Sequence, residues 1–123
     1  MSEAPVNFSL LASSEFPARS FKAGEIIFRE GDSAEELYLV RSGSVRIQLG
    51  EREVETVDPN GIFGEMALID AAPRSATAIA ATDVSLVPVS EKQFLFLISE
   101  TPFFALKVMR LLARRLRALD KSV

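Results

Sequence analysis

The sequence predicts a mainly β domain closed by C-terminal helices. Three observations predict it. From residue 19 to residue 89, short runs rich in Val, Ile, Leu, Phe and Thr are separated by turn residues at roughly regular intervals. Residues 45–49, Val-Arg-Ile-Gln-Leu, alternate apolar and polar in the way of a strand with one face in a core and one in water. Beyond residue 90 the apolar positions recur at spacings of three and four, the period of a helix. With 123 residues, 48% hydrophobic and 25% charged, the chain holds one core and has no room for a second.

Residues 1–17 read as a leader ending in Pro17, with a short helix expected over residues 8–13. Residues 18–123 form the domain, with β structure to about residue 89 and helices over about 90–119. Strands are expected over residues 25–28, 36–41, 44–49, 52–57, 74–80 and 84–89. They are punctuated by Gly24, Gly31-Asp32, Ser42-Gly43, Gly50 and Asp58-Pro59-Asn60-Gly61. Gly43, between two strands, marks a hairpin turn that needs positive φ. Ser90 is an N-cap for a helix through residues 94–98, and Thr101-Pro102 places a cap and then a proline at the start of a longer helix to about residue 119. On that helix Met109, Leu112, Leu116 and Leu119 form an apolar seam, which either packs on the β domain or pairs with a second copy.

The absences narrow the chemistry. There is no histidine and no cysteine, which removes disulfides, thiolate nucleophiles, imidazole bases and Cys/His metal sites, so no catalytic and no metal residue is assigned. A net charge of −3 supplies no general positive field for nucleic acid or an anionic membrane. An acid stands where a signal peptide carries basic residues, and no window approaches the roughly 18 apolar residues of a membrane span, so a cytoplasmic location is expected.

The candidate chemistry lies in residues 63–80, FGEMALIDAAPRSATAIA. Glu65 follows a glycine and Arg74 a proline in an otherwise apolar run. Good helix formers after Gly64 suggest one helical turn, whose leading N–H groups make an anion site, and Pro73 leads Arg74 into a strand with its guanidinium fork presented to a phosphate. An acid and a base at this spacing either pair with each other or converge on a ligand.

Phe63-Gly64-Glu65-Met66-Ala67-Leu68, followed by Pro73-Arg74-Ser75-Ala76-Thr77, resembles the phosphate-binding cassette of the cyclic-nucleotide-binding domain. That family includes bacterial catabolite activator proteins, protein-kinase regulatory subunits and cyclic-nucleotide-gated channels. The segments Gly24–Asp32 and Leu37–Val45 resemble its paired strands and turn glycines, and the likeness spans about residues 18–119. It implies a jelly-roll-like β-roll, a double-stranded β-helix, with C-terminal helices. One departure is Asn60, where the family usually has glycine; asparagine tolerates left-handed geometry, so the turn is expected to survive.

The resemblance implies a role for each residue. Arg74 would bind the cyclic phosphate with the N–H groups of Gly64, Met66, Ala67, Ser75 and Ala76, and Glu65, beside Gly64, would accept from the ribose 2′-OH. Val45, Ile47, Val54 and Val57 are candidates for the wall against the base, and Arg114, Arg115 and Leu116 lie where the family's last helix closes over it; of these Arg115 is taken as the base contact. The implied function is a non-enzymatic sensor of cAMP, in preference to cGMP, with the nucleotide as regulatory ligand and no cofactor. Its partners would be an effector protein or second subunit, including a homodimer, with no direct binding of nucleic acid or membrane. Past Val123 no helix-turn-helix, catalytic domain or channel follows, so the output is expected outside these residues, the natural-looking Met1 start favouring a stand-alone protein over a piece of a larger one. The alternative is a β-roll scaffold for protein interaction without nucleotide; an enzyme such as a phosphodiesterase ranks third, because no nucleophile or metal set is present.

Overall fold

A computed structural model of the chain describes Phe8 and residues 16–119. The elements run β1 Arg19–Phe21, β2 Ile26–Phe28, β3 Glu36–Ser42, β4 Val45–Leu49, β5 Arg52–Val57, β6 Ile62–Phe63, α1 Met66–Asp70, β7 Thr77–Ala80, β8 Val84–Ser90, α2 Glu91–Glu100 and α3 Pro102–Leu119. Two four-stranded antiparallel sheets result, in the orders β1-β8-β3-β6 and β2-β7-β4-β5. This is the predicted jelly-roll arrangement with C-terminal helices.

The pattern within β3 explains how the layers stack. Leu37, Tyr38, Leu39 and Val40 are all buried, yet alternate residues serve different cores. Tyr38 and Val40 face the second sheet with Val45, Val57, Phe63, Ala78 and Ala80. Leu37 and Leu39 face the helices, packing with Val87, Val89, Phe94, Phe104 and Val108. Phe104 meets Phe94 and Phe8 edge-on, each at 5.7 Å between ring centres, a geometry favoured by the ring quadrupoles. A strand wetted on neither face reads as a continuous apolar run, as this one does.

Several local expectations hold. Gly43 turns β3 into β4 at φ +80°, where a Cβ would lie 2.2 Å from the Asp83 carbonyl oxygen. Asn60 takes φ +72°, the left-handed geometry expected of it. Ser90 caps α2 through a reciprocal box: Gln93 N donates to Ser90 Oγ at 3.2 Å and Ser90 N donates to Gln93 Oε1 at 2.9 Å.

Others change. β1 and β6 were not anticipated, being three and two residues long, too short for alternation to register. β7 starts at Thr77 and not at Arg74, because Arg74 is bonded to the turn after β2: its N donates to Asp32 O at 2.9 Å and its O accepts from Gly31 N at 2.8 Å. The expected leader helix over residues 8–13 lies outside the described residues apart from Phe8. That ring is fully buried, and Phe8 N donates to Asn60 O at 2.8 Å. The α3 seam divides: Leu112 packs on its own chain's core, whereas Met109 and Leu116 are 57% and 68% exposed. The exposed row is Leu106, Met109 and Leu116.

Candidate functional site

Glu65 and Arg74, 3% and 7% exposed, are the buried charged residues among those described. Nothing in their spacing required both to leave water, and burying a charge is costly unless it is paired. They do not pair with each other. Each has its own surroundings.

Arg74 sits under the cassette. Its Nη1 donates to Gly64 O at 3.1 Å and its Nη2 to Glu36 O at 2.8 Å. Gly64 is required there, since at φ +78° a Cβ would stand 2.6 Å from Nη1. The guanidinium carbon lies 4.1 Å from the centre of the Phe28 ring and 5.7 Å from that of Tyr38; Tyr38 stacks on Phe28 and on Phe63, and Phe28 and Phe63 meet tilted, with ring centres 5.4–6.2 Å apart. Its buried Nε has no hydrogen-bond partner. None of the ion pairs among the described residues involves Arg74. Loss of solvation pushes the guanidinium below its ordinary value, outweighing the attraction of Tyr38, Glu36, Asp32 and Glu65. Among the described residues it is a cation held without an ion-pair partner.

Glu65 is held by α3. Arg115 Nη1 donates to Glu65 Oε1. The same side chain donates from Nε to Glu55 Oε1 at 2.9 Å, and from Nη2 to Glu55 Oε2 at 3.0 Å and to Ile62 O at 2.6 Å. Burial alone would lower the Arg115 value, but Glu65 and Glu55 together raise it. One residue of the last helix thus joins β5, β6 and the cassette.

The remaining predicted residues divide. Val45 and Val57 are cross-strand partners, fully and almost fully buried between the sheets, and Ile47 packs beside them. Val54 falls at a register shift, where Ile47 pairs with Glu55 and Gln48 with Glu53, so it has no cross-strand partner. Ala67 is buried, Gly64 and Ala76 are half-buried, and Ser75 and Met66 are exposed. α1 is a single turn with Glu65 at its N-cap position, and Glu65 O accepts from Leu68 N and Ile69 N at 3.1 and 3.2 Å. The sequence reading missed Phe28, Tyr38, Glu36 and Glu55. Glu55 was within reach, standing two residues from the buried Val57 on one strand; the others carried no signal, because their role depends on where Arg74 points.

A cavity of about 580 Å³ opens beside Arg74, lined by Phe28, Asp32, Glu36 and Tyr38 among others. It shares Arg74 alone with the predicted contact set. No cluster of metal-ligating residues occurs among the described residues, and no described helix is long and apolar enough to cross a membrane.

The family model of the cyclic nucleotide-binding domain matches residues 18–101. The chain is 43% identical over 115 residues to the cyclic AMP receptor protein of Thermus thermophilus, covering 89% of this chain and 53% of that protein. It is 42% identical over 88 residues to a cyclic nucleotide-gated potassium channel of Mesorhizobium japonicum, covering 72% of this chain and 24% of the channel. The solved structure of Thermus thermophilus catabolite activator protein superposes with a TM-score of 0.81 at 40% identity, covering 97% of this chain and 58% of that one. The chain therefore spans about half or less of the length of these relatives.

Proposed function

Because the chain belongs to the cyclic nucleotide-binding domain family, we propose that it is a non-enzymatic sensor of a cyclic nucleotide, cAMP in preference to cGMP, whose binding is coupled to the position of α3. The observation that carries this reading is Arg74: a guanidinium buried beneath the cassette with no carboxylate partner and an unpartnered Nε. A structural ion pair would neutralise it. A cyclic phosphate, with one negative charge, supplies the missing counter-ion and accepts from the spare donor.

In this reading Arg74 takes the phosphate together with backbone N–H groups of Gly64, Met66, Ala67, Ser75 and Ala76. Glu65 accepts from the ribose 2′-OH, and the base lies toward Val45, Ile47, Val54 and Val57. The preference for cAMP rests on similarity to the cyclic AMP receptor protein. Arg115 is the natural coupling residue. The ribose hydroxyl and Arg115 meet at one carboxylate, so occupancy of the site changes what holds α3, and a ligand shifts a two-state equilibrium by its differential affinity for the two states. The exposed Leu106, Met109 and Leu116 give α3 an apolar face for a second subunit, a homodimer included. The reader of the change is then an effector protein or that subunit, in the cytoplasm.

Calorimetric titration with cAMP and cGMP tests the reading, with Arg74→Ala alongside. Removing the cation matched to a desolvated phosphate should cost about 3–5 kcal/mol, as breaking other buried pairs does, which is roughly a hundredfold to a few thousandfold in affinity. Arg74→Lys should recover part of it, a single ammonium lacking the fork. A protein that binds neither nucleotide, or a folded Arg74→Ala that binds as well as the parent, overturns the sensor role and leaves the scaffold reading.

A further inference from the structure

A guanidinium almost fully withdrawn from solvent needs something to define its position when no carboxylate among the described residues does. Two backbone carbonyls, Gly64 O and Glu36 O, fix the Nη atoms of Arg74, and they leave the plane of the group free to tilt about the line between them. The Phe28 ring, 4.1 Å from Cζ, closes that freedom. Phe28 is itself braced by Tyr38 at 6.2 Å and Phe63 at 5.9 Å, and its strand pairs with β7 through Phe28 and Ala78. The ring's negative face also attracts the cation without taking one of its N–H donors. A carboxylate in the same place would satisfy the charge and occupy the fork.

We infer that Phe28 is a positioning residue for phosphate recognition: its ring is the platform that orients the Arg74 guanidinium and keeps Nε–H available to the ligand. The role rests on Arg74 receiving the phosphate, as set out above. Without the platform Arg74 samples other rotamers in the empty protein and has to be ordered at the moment of binding.

The test is cAMP titration by calorimetry of the parent protein, Phe28→Leu, Phe28→Tyr, Arg74→Lys and the double variant Phe28→Leu/Arg74→Lys, with a thermal melt of each. Phe28→Leu should weaken binding roughly three- to tenfold, the cost of ordering one rotamer-rich side chain on binding. Phe28→Tyr keeps the ring face and should bind within twofold of the parent. In the Arg74→Lys background the same Phe28→Leu change should cost less than twofold, because an ammonium has no plane to orient. A purely structural role for Phe28 would lower affinity equally in both backgrounds. Equal losses there, a Phe28→Tyr protein as weak as Phe28→Leu, or a Phe28→Leu protein that binds like the parent overturns the positioning role while nucleotide binding stands. If Phe28→Leu does not fold, Phe28→Met replaces it in the same comparison. A parent protein that binds no nucleotide overturns the sensor reading and this role with it.

Discussion

The carboxylate of Glu65 is held by Arg115, fifty residues further along the chain, and not by Arg74, which follows it by nine. A buried acid paired with a helix cation therefore stands beside a guanidinium that forms no ion pair among the described residues, although the Glu65 charge still attracts it.

Arg115→Met tests that contact through stability. It leaves Glu65 almost fully buried with its ion-pair partner gone, and breaking a buried pair from one side typically costs about 3–5 kcal/mol. The melting temperature should fall by on the order of 10 °C, and adding Glu65→Gln should return part of the loss. A variant that melts with the parent would mean that Glu65 reaches water once α3 lets go.

Sugar reading is tested by Glu65→Gln and a 2′-deoxy ligand. The change keeps size and one acceptor but removes charge, so affinity for the ordinary nucleotide should drop by about 1.5–3 kcal/mol, the worth of a charge-assisted hydrogen bond. The 2′-deoxy nucleotide should bind both proteins nearly alike. If it separates them as strongly as the ordinary nucleotide does, Glu65 does not contact the ribose.

The division of the α3 seam separates packing from assembly. Leu112→Glu places a charge against the chain's own core and should lower the melting temperature. Leu116→Glu, on the exposed row, should leave stability within about 0.5 kcal/mol and convert a dimer to a monomer in light scattering. A parent protein that is monomeric at high concentration removes the homodimer.

Tyr38 is the chain's one tyrosine, so its ionisation can be followed directly. Burial, reinforced by its hydrogen bond to Glu36 and that residue's charge, raises its pKa above the usual value near 10. The folded state therefore holds this proton more tightly than the unfolded state. The associated stability is fully present below the unfolded pKa and is lost as pH rises from there through the folded pKa. Tyrosinate absorbance in the native protein should lag that in urea, and the melting temperature should decline above about pH 10. Coincident titrations in the two states would show that the hydroxyl is not held as described.

What the sequence determined by itself is what short-range chemistry encodes. The left-handed turns at Gly43 and Asn60, the cap at Ser90, the strands whose alternation or apolar run exceeds four residues and the two-part motif of residues 63–68 and 73–77 each depend on residues within a few positions. Tertiary structure decided the partners. Arg115 reaches Glu65 because α3 returns across β5, Arg74 meets Phe28 because β2 lies beside β7, and Glu55 stands opposite Ile47 because of a register shift between β4 and β5. A charge chooses its partner by distance and by how completely water is excluded, and both are properties of assembled sheets, written nowhere in the spacing of an acid and a base along one chain.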